Sequence, residues 1–158
     1  MNYLTIAAAA AIVVGLIGLI AIWASIPLLF ASLGPTVVIQ AGKPQQRIAY
    51  PWNVAAGHLI ALGVGVAALY ASGAITQPPF LSLHQLSPAR ISAAAFAVGI
   101  GIFIEYLLKA SHPPAASTSL LVTLGVVPIN AKGIIAVAGG IGLVTVFGEL
   151  VRQLRLRL

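Results

Sequence analysis

Four long apolar runs divide the chain, and the stretches between them are polar and rich in proline. The runs are Leu4–Ile26, Asn53–Ser72, Ala89–Leu108 and about Gly133–Val151. Each supplies about 20 residues, or about 30 Å of α-helix, which matches the hydrocarbon thickness of a bilayer. The first run is longer than the apolar core of a signal peptide and has no basic lead, so it reads as a retained membrane helix. Two shorter apolar stretches, residues 26–42 and 111–128, are each interrupted by proline. Segments of that length and composition are short, broken or re-entrant helices. The pattern predicts an all-α, polytopic helical membrane protein. It has one transmembrane domain over residues 1–158, with four long transmembrane helices plus two short broken segments.

Composition sharpens this picture. Of 158 residues, 60% are hydrophobic and 6% are charged, against roughly a quarter charged in a soluble domain. Ten charges, eight basic and two acidic, cannot form the skin of a soluble protein this size. The net charge of +6 sits at the edges of the apolar runs, where orientation signals and membrane lipid contacts belong. No stretch combines basic density with interleaved aromatics, so nucleic acid is not an expected partner. There is no cysteine, which removes disulfides and thiolate metal sites.

A weak internal repeat divides the chain into halves of about 1–79 and 80–158. Residues 31–35, ASLGP, match residues 110–114, ASHPP, and Asn53, Gly63 and Gly65 match Asn130, Gly140 and Gly142. Each half then reads as long helix, broken segment, long helix, an arrangement common in transporters. If the broken segments cross, Lys43, Arg47, Lys109, Arg152, Arg155 and Arg157 share one side against Arg90 and Lys132. That distribution obeys the positive-inside rule with both termini cytoplasmic, and it makes the halves a 3+3 inverted pair. If the segments dip in and return, the basic residues divide evenly. Rows of small residues, Ala7–Ala11–Gly15 and Ala93–Ala97–Gly101, are candidate helix-packing faces.

The candidate chemistry gathers at the broken segments. Ser111 precedes Pro113 and Pro114, a good helix start, and His112, Ser117 and Thr118 add polar groups. The first half repeats the design with Ser32, Gly34, Pro35 and Thr36. Two helix N-termini meeting inside the membrane would form a small anion site. Asn53 and His58 lie near the start of the second long run and would support or line that site. His112 has three open readings: a proton carrier, a neutral donor, or a boundary residue. Glu105 and Lys109, four residues apart, can pair on one helix face, or Lys109 can line an anion entrance. Glu149 and Arg152 form a similar end pair. The tail, RQLRLRL, reads as a cytoplasmic surface anchor. Enzyme signals are thin. There is no Asp, no nucleophile elbow or P-loop, and no histidine cluster at metal-ligand spacing. No cofactor is expected.

The chain resembles the HPP family of integral membrane proteins. The resemblance rests on His112-Pro113-Pro114, on Pro27, Leu28, Leu29, Ser32 and Gly34, and on Pro51, Asn53, Gly57 and His58. Pro35 stands where alanine is usual in the family, and Trp52 where arginine is usual. Four membrane helices are usual for the family, and its plant members are associated with nitrite transport into chloroplasts. The resemblance implies a transporter or channel for a small inorganic anion, nitrite or nitrate first, in a bacterial-type inner membrane. The alternative is a non-transporting membrane scaffold or assembly subunit. A chain this small does not surround a wide pore alone, which leaves room for a homo-oligomer.

Overall fold

The computed structural model describes residues 3–157. Seven helices follow in order: α1 Tyr3–Ala24, α2 Leu33–Gly42, α3 Pro51–Ala71, α4 Phe80–Leu83, α5 Pro88–Leu107, α6 Ala115–Thr123 and α7 Ala131–Arg157. Four of them, α1, α3, α5 and α7, are long and apolar enough to cross a membrane. Their outer faces carry large apolar side chains such as Ile12, Leu19, Ile22, Phe96, Phe103, Ile135 and Val146. An apolar exterior of this extent is stable only in lipid. The protein is an integral membrane protein with an all-helical fold. The basic tail is helical: α7 continues through it to Arg157.

Side-chain hydrogen bonds fix the direction of each segment. At one end of the bundle Arg155 donates to the Ala41 carbonyl and to Thr5 Oγ1. The end of α7, the end of α2 and the start of α1 therefore lie together. Arg152 joins them by donating to the Pro44 carbonyl and lying over the Tyr50 ring, 4.6 Å from its centroid. It also forms the expected ion pair with Glu149, at 2.6 Å. Asn53 donates to the carbonyls of Lys109 and Ser111, so the end of α5 lies here too. At the opposite end Arg90 donates to the carbonyls of Gln77, Pro78 and Thr123 at 2.6, 2.8 and 2.6 Å. Those three bonds tie the start of α5 to the end of α6. Residues 25–42 and 109–124 thus each run from one end to the other as an extended stretch followed by a short helix.

Arg90 is nearly buried, and its fork satisfies carbonyls that would otherwise lie unpaired at a helix end and in a loop. Arg90→Lys keeps the charge and loses the fork. It is expected to cost about 2 kcal/mol, read as a lower unfolding temperature of the purified protein. An unchanged temperature would show that the clamp carries no net stability.

Both long helices that lead into a broken segment end in the same way. After α1, the N–H of Ser25 bonds the Ile22 carbonyl and that of Ile26 the Ala21 carbonyl. After α5, Lys109 bonds Tyr106 and Ala110 bonds Glu105 in the same pattern. Ser25 and Lys109 are both left-handed, with φ of 53°. This is the 6→1 and 5→2 closure that glycine usually supplies.

Close backbone packing occurs on both α3 and α7. A Cβ on Gly57 of α3 would sit 2.9 Å from His112 Cβ and 3.1 Å from the Ala110 carbonyl. One on Gly65 would press on Val122. On α7, a Cβ at Gly140 would collide with the Leu28 carbonyl and the Phe30 ring, and one at Gly148 with the Gln40 amide. Gly133 and Gly139 of α7 are tight as well, against the Pro128 carbonyl and the Leu28 side chain. The sequence match paired Gly63 with Gly140 and Gly65 with Gly142, and in each pair one member, Gly63 or Gly142, faces open space.

The interior is apolar around two clusters. Val13, Ile17, Leu28, Leu33, Val37, Val54 and Val144 pack α1, α2, α3 and α7 together. Leu62, Leu69, Ala93, Ala97, Val122, Val137 and Ile141 join α3, α5, α6 and α7. The small-residue row on α5 is buried as expected. The row on α1 is not: Ala7, Ala11 and Gly15 are exposed, and α1 packs through Ile6, Val13 and Ile17.

Candidate functional site

Five polar side chains from both halves meet in the core, and all are essentially inaccessible: Ser32, Thr36, His58, His112 and Thr118. The short helices α2 and α6 bring Thr36 and Thr118 to opposite edges of one imidazole. Thr36 Oγ1 lies 2.9 Å from His58 Nε2, and Thr118 Oγ1 lies 2.8 Å from His58 Nδ1. Thr36 Oγ1 is also 3.0 Å from His112 Nε2 and 2.9 Å from the Ser32 carbonyl. Ser32 Oγ closes the other side on Thr118 Oγ1 at 2.8 Å. The two imidazoles meet edge to face, with centroids 5.0 Å apart.

The partner of His112 Nδ1 fixes its tautomer. That nitrogen lies 2.7 Å from the Ile48 carbonyl, and a carbonyl only accepts. Nδ1 therefore carries the hydrogen, and in the neutral ring Nε2 is an acceptor facing Thr36. If the one Thr36 hydrogen goes to His112 rather than to the Ser32 carbonyl, the Thr36 oxygen still accepts from His58 Nε2–H. His58 Nδ1 then accepts from Thr118, and Thr118 from Ser32. The result is one directed chain from Ser32 to Ile48. Such a chain in an apolar bundle is stable only when satisfied, because each lost bond leaves a desolvated polar group.

Several expected residues lie outside this centre. Ser117 and Pro35 are exposed, and Gly34 and Ser111 are half-buried. Pro114 is the N-cap position of α6, and Pro113 precedes it, exposed. Ser111 does not cap the helix, which starts at Ala115. The helix starts are also not free donor baskets. The N–H groups of Ala115, Ala116 and Ser117 bond the carbonyls of His112, Pro113 and Pro114, and Leu33 N–H bonds Phe30. The donors nearest the centre are side chains.

Glu105 and Lys109 do not pair. The chain leaves the helix between them, since Lys109 follows α5 with positive φ and is exposed. Glu105 is buried and accepts from the His112 backbone N–H at 3.0 Å, so it anchors the lead-in to α6. Lys109 instead lines a cavity of about 220 Å³ with Arg47, Ile48, Asn53, Tyr106 and Ser111. A neighbouring cavity of about 160 Å³ shares Tyr106 and Ser111 and reaches Glu105 and Pro113. These two form a basic mouth beside the carbonyl that holds His112. A larger cavity of about 490 Å³ between α3 and α5 is lined by Phe96, Ile100 and Ile104 and faces lipid.

Three contributors carried no separable signal in the sequence. Ile48 acts through its carbonyl, and Arg47 reads as an ordinary loop cation. Gln40 is fully buried against Gly148, and neither of its amide atoms has a partner among the described residues.

No curated protein and no solved structure matches the chain. The family profile described as HPP, transmembrane region, matches residues 1–157. With the His112-Pro113-Pro114 lead-in to α6 at its centre, the chain belongs to the HPP family of membrane proteins.

Proposed function

We propose that this protein transports a small inorganic anion, nitrite or nitrate first, through the centre between its two broken segments. The observation that carries this reading is His58 bound at both ring nitrogens by Thr36 and Thr118, one from each half. Polar side chains at membrane depth are costly and mark ion or substrate paths. Here hydroxyls and imidazoles converge with no full charge at the centre, polar groups that can turn toward a desolvated monovalent anion. The cations of the mouth, Arg47 and Lys109, raise the local concentration of anions at one end.

The repeated helix exits and the two short helices support an inverted 3+3 repeat. Broken helices at the interface of such repeats are where transporters hold their cargo. Lys43, Arg47, Lys109, Arg152, Arg155 and Arg157 lie toward one end, which the positive-inside rule assigns to the cytoplasm, with the C-terminus.

Reconstituted protein is expected to raise nitrate and nitrite uptake above protein-free vesicles, and Thr36→Val is expected to return it to that baseline. Nitrate is the cleaner probe, because nitrous acid crosses lipid unaided. Equal uptake with and without protein for both anions would move the assignment to a membrane scaffold.

A further inference from the structure

The hydrogens of the central network can be counted. Six contacts need one hydrogen each: Ser32–Thr118, Thr118–His58, His58–Thr36, Thr36–His112, Thr36 to the Ser32 carbonyl, and His112 to the Ile48 carbonyl. With both rings neutral, three hydroxyls and two imidazoles supply five hydrogens. The conflict is local. Thr36 has one hydrogen and two acceptors, His112 Nε2 and the Ser32 carbonyl.

A proton on His112 Nε2 resolves it. The imidazolium then donates to Ile48 and to Thr36, and Thr36 turns its hydrogen to Ser32. His58, Thr118 and Ser32 keep their places, and every contact holds one hydrogen. A proton on His58 does not do this. Its second N–H points at Thr118, and Thr36 still faces two acceptors. The counterpart of His112 in the glycine contacts of the other half is Phe30, so that half has no equivalent acceptor.

We propose that the central network is a one-proton site, that Nε2 of His112 is the acceptor, and that this proton travels with the anion as its counter-charge. The last clause rests on the transport reading; the first two do not. The proton comes from water at the mouth. An N–H bond forms at Nε2, the Thr36 hydrogen swings to the Ser32 carbonyl, and release reverses both. No bond to the anion forms or breaks. The added charge lets a monovalent anion enter as a neutral pair, which removes most of the cost of a lone ion in lipid.

The charged and titratable groups around His112 are few. On α5, Glu105 bonds its backbone N–H, and Tyr106 lines the mouth. On α3, His58 lies against its ring. Arg47 stands beside Ile48, and Lys109 three residues before His112. The helices α2 and α6 contain no titratable side chain. An ionised Glu105 favours the added proton, while Arg47, Lys109 and a charged His58 oppose it.

The test has two arms. The first is nitrogen NMR of ring-labelled histidines in the full protein in lipid, with His112→Asn and His58→Asn for assignment. Above about pH 8, well past the ordinary histidine pKa of ~6.5, His112 is expected as the Nδ1–H tautomer and His58 as the Nε2–H tautomer. On acidification His112 takes its proton first. Opposite tautomers, or His58 titrating first, would overturn the site. A variant that fails to fold is replaced in assignment by Thr36→Val, which shifts the His112 Nε2 signal and leaves Nδ1 on Ile48. The second arm follows nitrate and internal pH together in vesicles. One proton entering per nitrate is expected, and nitrate entry without protons would overturn the coupling. Absence of nitrate entry would overturn the transport reading, and the NMR arm would still decide the proton site.

Discussion

Replacing Thr36 with valine is expected to lower nitrate flux about 30- to 100-fold while the protein still folds. Valine keeps the shape, so the loss comes from the hydroxyl. That hydroxyl is the point where both imidazoles and the start of α2 meet. An anion entering the centre must exchange water for side-chain donors, and a hydrogen bond to a charged species is worth about 1.5–3 kcal/mol. Valine removes the oxygen that accepts from the Nε2–H of a charged His112, one such bond, and leaves His58 Nε2–H without its partner as well. At 1.36 kcal/mol per factor of ten, about 2–2.7 kcal/mol gives the stated range. Ser117→Ala is the matched control. Ser117 is exposed on the outer face of α6, and its loss is expected to leave flux within about 2-fold, consistent with a surface change of less than ~0.5 kcal/mol. Flux measured per folded protein in vesicles checks both. Equal losses in the two variants would place the path elsewhere.

The second large effect is structural. Gly57→Val is expected to destabilise the protein by about 4 kcal/mol, seen as a fall of about 10 °C in unfolding temperature. A side chain there meets the His112 Cβ and the Ala110 carbonyl from the first carbon outward. Neither can move freely. Ala110 is held by the closure at the end of α5, and His112 by Glu105 and Ile48. Overpacking alone costs about 1–3 kcal/mol, and pushing His112 away also breaks the central network. Gly63→Val, six residues along the same helix, meets open space and is expected to change stability by less than about 1 kcal/mol, since helix propensity slightly favours valine over glycine. Thermal unfolding of the two variants side by side separates close approach from a general intolerance of valine in α3.

Much of the fold was legible because its signals are local. A run of about 20 apolar residues needs no tertiary information to declare itself, and α1, α3, α5 and α7 lie close to where the pattern put them. Thr36, His58, His112 and Thr118 stood out for the same reason, as polar groups in apolar surroundings. Long-range contacts were less legible. The match of 31–35 with 110–114 paired Ser32 with Ser111. In the structure Ser32 and Pro114 are the N-cap residues of the two short helices, three residues out of that register. Prolines fall on different sides of the two helix starts, Pro35 inside α2 and Pro114 just before α6, so aligning them shifts the halves. Glu105 and Lys109 are at pairing distance only on a continuous helix, and the helix ends between them. Ile48 could not have been found, because its contribution is a backbone carbonyl and any residue supplies one.

A chain without cysteine allows a direct test of the path. Thr118→Cys places one thiol in the protein, at the centre, in contact with His58 and Ser32 in the native residue. During nitrate transport a small water-soluble thiol reagent is expected to reach it and stop the flux, and excess nitrate is expected to protect it. That result would put the anion and the reagent in one water-accessible path through the buried network. A thiol that never reacts while nitrate flows, or one that reacts without loss of flux, would show that the anion does not pass through the centre.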